Sequence, residues 1–202
     1  FNALADESFT ASDSLDGGKG EDTLNARYAT TGGPSGGNND ISGNAESIEK
    51  VFVDAALDAD GVDLTFSAEN LSGLQQLWNS GSSNQTNLQS DEFVVFEDVS
   101  LDYTVGLQDT GTSTKVEFED VSGGDDVANF AFDGVTKQDG NTGDEQASSL
   151  TADDVETFNI TTLNNASTIS TLEGDDLETV KVSGKEDLTV RNELGGVTTV
   201  DA

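Results

Sequence analysis

The residues best suited to chemistry stand in one short stretch, residues 17–25, with the sequence GGKGEDTLN. They match the nonapeptide pattern G-G-x-G-x-D-x-U-x, in which U is a large apolar residue. Glycines let the backbone adopt positive φ and turn its carbonyl oxygens inward, and Asp22 adds a hard anionic oxygen. Calcium prefers such oxygen ligands. The stretch therefore predicts a calcium-binding turn, with Leu24 filling the core beside it.

Half of the pattern recurs nine residues earlier, where Asp13 aligns with Asp22 and Leu15 aligns with Leu24. Calcium takes about six to eight oxygen ligands, more than one turn supplies. We therefore predict a ligand set of Asp13, Asp22 and carbonyl oxygens near Gly18 and Gly20, completed by a neighbouring turn.

Further acidic residues are weaker candidates for metal binding. They are three Asp-Asp pairs and two glutamates near strand-like segments: Asp125, Asp126, Asp153, Asp154, Asp175, Asp176, Glu156 and Glu178. Lined up at one corner of the fold, stacked carboxylates would either share calcium or form a solvated acidic face. Both interpretations stay open, and the solvated face is the simpler one.

A strand-like phrase recurs along the chain: an apolar residue, two mostly polar residues, then apolar, any, apolar. Its main copies begin at Ile48, Val127, Val155 and Leu177, and weaker copies begin at Leu74 and Val197. Alternation rich in Val, Thr and Phe is typical of half-buried β-strands, and a period near 20 residues favours the stacked coils of a parallel β-solenoid. An antiparallel β-sandwich is the alternative. Residues 68–78 are the one candidate for a short helix.

Composition narrows the class of protein. Eight basic and forty acidic residues give a formal net charge of −32, which disfavours nucleic acid and anionic membranes as partners and favours divalent cations. No apolar run reaches the length of about 18 residues that membrane insertion needs. Without histidine, the G-x-S-x-G match at residues 33–37 has no base, and H-E-x-x-H zinc chemistry is excluded. We expect no enzyme activity.

These motifs resemble the repeats-in-toxin proteins, and among them the calcium-dependent bacterial surface-layer proteins and large adhesins. The resemblance rests on residues 13–25 and on the phrase at residues 45–53. It implies a right-handed β-solenoid with calcium between its coils, type I secretion, an extracellular location and a structural role at the cell surface. It also implies copies of the same chain as partners.

The resemblance leaves two further roles open. One is an adhesin segment that binds cell-surface polysaccharide or another surface through its loops at residues 30–44 and 140–149. The other is a halophile surface protein whose acidity serves solvation. We expect residues 1–29 to form the calcium-binding turn region and residues 30–202 to form solenoid coils continuous with it, within a fragment of a longer chain.

Overall fold

The computed structural model describes residues 1–3, 9–30, 40–57, 62–84, 92–136, 148–192 and 194–202. Every regular element in these ranges is a β-strand. A helix long and apolar enough to cross a membrane is not found in them.

The described ranges contain twenty-one strands, numbered in chain order, which form four sheets. The long sheet contains Asn2–Ala3 (β1), Thr23–Thr30 (β3), Lys50–Leu57 (β6), Gln76–Ser80 (β9), Ser83–Asn84 (β10), Thr104–Gln108 (β12), Val127–Asp133 (β14), Thr157–Thr162 (β16), Thr179–Gly184 (β19) and Thr199–Asp201 (β21). The six-stranded sheet contains Asp40–Ile41 (β4), Leu64–Ser67 (β7), Phe93–Val99 (β11), Ser113–Phe118 (β13), Ser149–Thr151 (β15) and Thr171–Glu173 (β18). The three-stranded sheet contains Ser14–Asp16 (β2), Asn44–Glu46 (β5) and Leu71–Ser72 (β8), and the two-stranded sheet contains Ser167–Ile169 (β17) and Leu188–Val190 (β20).

All neighbouring strands run parallel. After each main strand of the long sheet the chain passes through strands of the other sheets, and it then adds the next strand at the edge of the long sheet. The fold is therefore a parallel β-solenoid, as the repeated phrase predicted, and the antiparallel sandwich is excluded. The alternation of apolar and polar residues along the strands explains the core. In β6 every second residue is buried, so that apolar side chains point inward and polar ones outward.

Inward positions stack from coil to coil. Leu24, Val51, Leu77 and Val105 lie opposite one another in consecutive strands of the long sheet, and all four are fully buried. Further along, Phe130 packs against Phe158 with ring centroids 4.9 Å apart. The core is thus a continuous column of apolar side chains, each covered by the next coil.

The phrase predicts the register correctly in some coils and wrongly in one. Phe158 lies opposite Val180, as the copies beginning at Val155 and Leu177 require. Val127, however, lies opposite Thr157 rather than Val155, which puts that copy two residues out of step. The coil between Asn129 and Asn159 takes 30 residues, whereas the coil between Thr161 and Ser183 takes 22. Val127 consequently points outward and is 38% exposed.

The predicted helix at residues 68–78 is wrong. This segment contains β8, a corner, and the first part of β9. Gly73 adopts a φ of +88° at that corner, opposite Ser47, whose φ is +55° in the preceding coil. Leu74 and Leu77 are buried in the solenoid core, so a spacing that fits one helix face also fits a strand entered through a turn.

An outward-facing tryptophan lies across the neighbouring coil. Trp78 stacks on Phe52 with ring centroids 5.7 Å apart and is paired in register with Gly106. A Cβ atom on Gly106 would lie 2.0 Å from the indole ring, so glycine is required for this packing. Trp78 is only 6% exposed.

Polar side chains are also buried at two places in the fold. The amide nitrogen of Asn79 donates to the hydroxyls of Thr112 (2.9 Å) and Thr114 (2.8 Å), and Thr110 shares a hydrogen bond with Thr112. The second cluster surrounds the carboxylate of Asp133, which is 4% exposed. Both clusters satisfy polar groups that would otherwise be costly to bury.

The Asp133 carboxylate accepts hydrogen bonds from the backbone and side-chain nitrogens of Asn164 and Asn165, and a longer one of 3.5 Å from Gln108. Burial alone would raise the pKa of Asp133, but these hydrogen bonds stabilise the anion more strongly. The pKa therefore lies below its ordinary value of 3.8.

Candidate metal site

The predicted calcium-binding turn is the corner at residues 17–22, which joins β2 to β3 and is called the first corner below. Five residues separate Asp16 from Asp22, whereas two separate the equivalent Glu46 and Glu49 in the next coil. The first corner is therefore three residues longer than its neighbour. The extra residues form an exposed loop around Lys19.

Glycine conformations shape this loop as the sequence predicted. Gly18 and Gly20 have φ values of +80° and +125°, which L side chains rarely adopt. Gly17 is needed for a different reason, because a Cβ atom there would overlap the carbonyl oxygen of Ser47. Leu24 then enters the core with no exposed surface, in agreement with the predicted role.

Acidic residues of two adjacent coils are neighbours at the first corner. The backbone N–H of Asp22 donates to Oε2 of Glu49 at 2.6 Å, while the N–H groups of Glu49 and Lys50 both donate to the carbonyl of Asp22. The side chain of Lys50 reaches Glu21 at 2.9 Å. Asp22 and Glu49 are both half-buried. The corner therefore combines acidic groups from adjacent coils with glycine-rich backbone.

Asp13 lies before β2 and closes a different turn. Its Oδ2 accepts hydrogen bonds from the backbone N–H and the hydroxyl of Thr10, at 2.8 and 3.0 Å. Burial raises the pKa of Tyr28, and the nearby Asp13 carboxylate raises it further. Asp13 is thus engaged with Thr10 near Tyr28, although Leu15 packs against the core as its alignment with Leu24 predicts.

A second corner repeats the link between Asp22 and Glu49. The backbone N–H of Asp126 donates to Oε2 of Glu156 at 2.7 Å, and Thr157 donates back to the carbonyl of Asp126. Oδ2 of Asp126 also accepts the N–H of Gly123 at 3.2 Å. Asp125 beside it is exposed.

The other acidic candidates partly line up. In this region the number of residues from one coil to the next is the same in the six-stranded sheet and in the long sheet, since Thr151 lies opposite Glu173 and Thr157 lies opposite Thr179. Asp153 and Asp154 therefore stack with Asp175 and Asp176, on exposed or half-exposed turns. The pair at Asp125 and Asp126 precedes Val127 and is out of line with them. The backbone of Glu178 bonds to the carbonyl of Glu156, so these two residues are neighbours as predicted.

The donor chemistry of the first corner suits a hard cation, but its acidic side chains are too few for a complete site. In the described ranges no three Asp or Glu side chains are grouped so as to hold a metal ion. Asp22 and Glu49 would have to be joined by backbone carbonyls and water to reach the coordination number of calcium.

Sequence reasoning missed Glu49. Its signal was present, because Glu49, Glu156 and Glu178 occupy the same second position of the repeated phrase. The pattern alone did not predict that Glu49 lies beside Asp22, because that pairing depends on the length of the loop before Asp22.

Comparison with known proteins adds no relative. The chain matches no protein-family model, no curated protein and no solved structure. The class of protein that fold and site define is therefore a strongly acidic parallel β-solenoid with a glycine-rich first corner.

Proposed function

We propose that this protein is a structural component of a calcium-dependent bacterial surface layer or extracellular filament, assembled by self-association. The observation that carries the proposal is the first corner, where a glycine-rich loop with positive φ at Gly18 and Gly20 lies beside acidic residues of two adjacent coils. Stacked parallel coils are a scaffold suited to a structural role.

Calcium would act on the charge of the whole chain as well as on the corner. A net charge of −32 opposes both compaction and association, because like charges repel. A divalent cation bound between Asp22 and Glu49 would offset part of that repulsion and hold two coils together. Binding to the folded state alone raises its stability, so folding would follow extracellular calcium.

Thermal melts with calcium and with chelator test this function. We expect the melting temperature to rise with calcium concentration for the wild-type chain. Deleting residues 18–20 shortens the first corner to the two-residue length of the next coil, and we expect this variant to fold and to lose the calcium response. Lys19→Gln is the matched control, because it changes the same loop without removing an oxygen ligand. Identical wild-type melts in calcium and chelator would refute the calcium dependence.

Potassium chloride separates this proposal from an acidity that serves solvation. A solvation role predicts that potassium chloride stabilises the chain as well as calcium does at equal ionic strength. A metal site predicts a calcium effect at concentrations too low to change the screening of charge. The adhesin alternative depends on loops whose residues 31–39 and 140–147 lie outside the described ranges.

A further inference from the structure

The outward side of the long sheet carries almost no net charge. It is called the long face below and consists of the side chains in β3, β6, β9, β12, β14, β16 and β19 that alternate with the inward ones. Its charged residues are Arg27, Lys50, Asp54, Asp133 and Lys181, so three basic and two acidic groups give a formal charge of +1. The whole chain has a formal net charge of −32. The acidity of this protein therefore lies outside the long face.

Charged groups on the long face are engaged within the chain. Nε of Arg27 lies 3.7 Å from Oδ2 of Asp54, and Nζ of Lys50 lies 2.9 Å from Oε1 of Glu21. Asp133 is covered by the amides that donate to it. The long face therefore presents little charge to a partner.

Other surfaces of the described chain are more acidic. On the six-stranded sheet Glu97, Glu117 and Glu173 face outward, and Lys115 is the one basic residue within its strands. The corners between sheets carry the Asp-Asp pairs described above. Because like charges repel, two copies of this chain meet the least repulsion when their long faces approach each other.

Uncharged side chains of the long face lie along the sheet and contact one another. The ring of Trp78 stacks on Phe52 and covers Gly106. Nδ2 of Asn159 donates to Oδ1 of Asn129 in the preceding coil, at 3.3 Å. Stacked aromatic rings and amide ladders of this kind also stabilise tight contacts between paired sheets. The long face therefore has the composition of a sheet-to-sheet contact.

The long face is also large enough for such a contact. Seven strands spaced about 4.8 Å apart give it a length of about 30 Å, and strands of five residues give it a width of about 17 Å. Two long faces packed together would cover about 500 Å² on each copy, or about 1,000 Å² in total, which reaches the lower limit for a specific interface. An interface of this size is weak, so added charge should disrupt it.

We propose that the long face packs against the long face of a second copy of this chain and forms a two-fold symmetric dimer. Both copies supply the same surface, so the interface is isologous. Acidic corner residues, among them Asp22, Glu49, Asp126 and Glu156, stand at the starts of the long strands and thus at the rim of the contact. Salt and calcium screen their repulsion, so both should strengthen association. The inference rests on the self-association in the proposed function and does not require that the first corner binds metal.

A charge placed on the long face tests the interface. Thr104→Glu adds one at a half-buried, outward position of β12, the middle strand of the seven. Thr151→Glu is the matched control, because it adds the same charge at a half-buried, outward threonine of the six-stranded sheet. Sedimentation velocity at high ionic strength, with calcium and with chelator, measures the dissociation constant. We expect dimers for the wild type and for Thr151→Glu, and a dissociation constant at least tenfold larger for Thr104→Glu.

Cross-linking tests the same contact with variants that keep the surface uncharged. The chain has no cysteine, so a single introduced thiol reacts at a known place. Thr104 is on the middle strand, and its two copies should therefore lie near the symmetry axis of the dimer. We expect a short bis-maleimide to join Thr104→Cys into covalent dimers and to leave Thr151→Cys monomeric under the same conditions.

The other outcomes overturn the inference in distinguishable ways. A wild type that stays monomeric at high ionic strength refutes the dimer, even if calcium still raises its melting temperature. If Thr104→Glu dimerises like the wild type and Thr104→Cys is not cross-linked, self-association stands but occurs through another surface. Equal weakening by Thr104→Glu and Thr151→Glu shows that the charge of the whole chain decides, and not the long face.

Discussion

The backbone N–H of Asp22 donates to the Oε2 of Glu49, one coil further along, at 2.6 Å. Asp126 and Glu156 form the same link at 2.7 Å at the start of another long-sheet strand. In both pairs a glutamate caps an N–H group at a corner, where the strand ladder has not yet begun. The link therefore joins adjacent coils at the point where the chain enters the long sheet.

Replacing Glu49 with alanine should lower the free energy of unfolding by about 1–2 kcal/mol, because a half-buried N–H loses a charged acceptor. Glu49→Gln keeps an acceptor oxygen and should lose less. Urea denaturation in chelator measures both. The control is Glu178→Ala, at the same phrase position but exposed, for which we expect a change within about 0.5 kcal/mol. Equal losses for Glu49→Ala and Glu178→Ala would contradict the assigned role.

Adding a methyl group at Gly106 should displace the indole of Trp78. Overpacking of this kind typically costs about 1–3 kcal/mol. Because Trp78 is the only tryptophan in the chain, Gly106→Ala should also shift the intrinsic fluorescence towards that of an exposed indole. Gly124→Ala is the control, since its Cβ would meet no atom within 4 Å. An unchanged spectrum for Gly106→Ala would contradict the close packing.

Asp133 should contribute stability that depends on pH. Its pKa is lower in the folded state than its ordinary value of 3.8, so its contribution is complete above that value and disappears as the pH falls through the folded pKa. Asp133→Asn should therefore destabilise the protein by about 2–3 kcal/mol at neutral pH, and by less as the pH approaches 3. Chemical denaturation of both chains across this range measures the difference. A difference that stays constant would refute a charged Asp133.

The hydrogen bonds of Asn79 are buried, and a bond of the same chemistry at the surface allows the effect of burial to be measured. Asn79→Ala leaves threonine hydroxyls without their donor in a fully buried position and should cost about 2–3 kcal/mol. Asn192→Ala removes an equivalent amide-to-hydroxyl bond to Thr171 at an exposed position, where water replaces it. We expect little change in its urea midpoint, and similar losses for both variants would show that burial is not the decisive term.

The sequence pattern was sufficient for the architecture because alternation fixes which side chains point inward. Leu24 was expected in the core, and it is stacked there with Val51 and Leu77, which stand at apolar positions of the repeated phrase. Register was less predictable, since coils differ in length at their corners and the phrase at Val127 looks the same whether or not it is in step. The same limit applies to the candidate site. Asp22 was found from its motif, but Glu49 is its neighbour only through the spacing of two corners.

The corner that follows the long sheet has a uniform backbone but a varied sequence. Gly81, Asp109 and Gly134 occupy it in consecutive coils, with φ values of +74°, +46° and +72°. Each N–H donates to a carbonyl of the next coil, at Gln108, Asp133 and Asn165 respectively. Asp109 adopts the same turn without the freedom of glycine. Each of these corners is thus held in two ways, by a residue type that tolerates positive φ and by a hydrogen bond to the adjacent coil, so that every coil carries part of the turn of its neighbour.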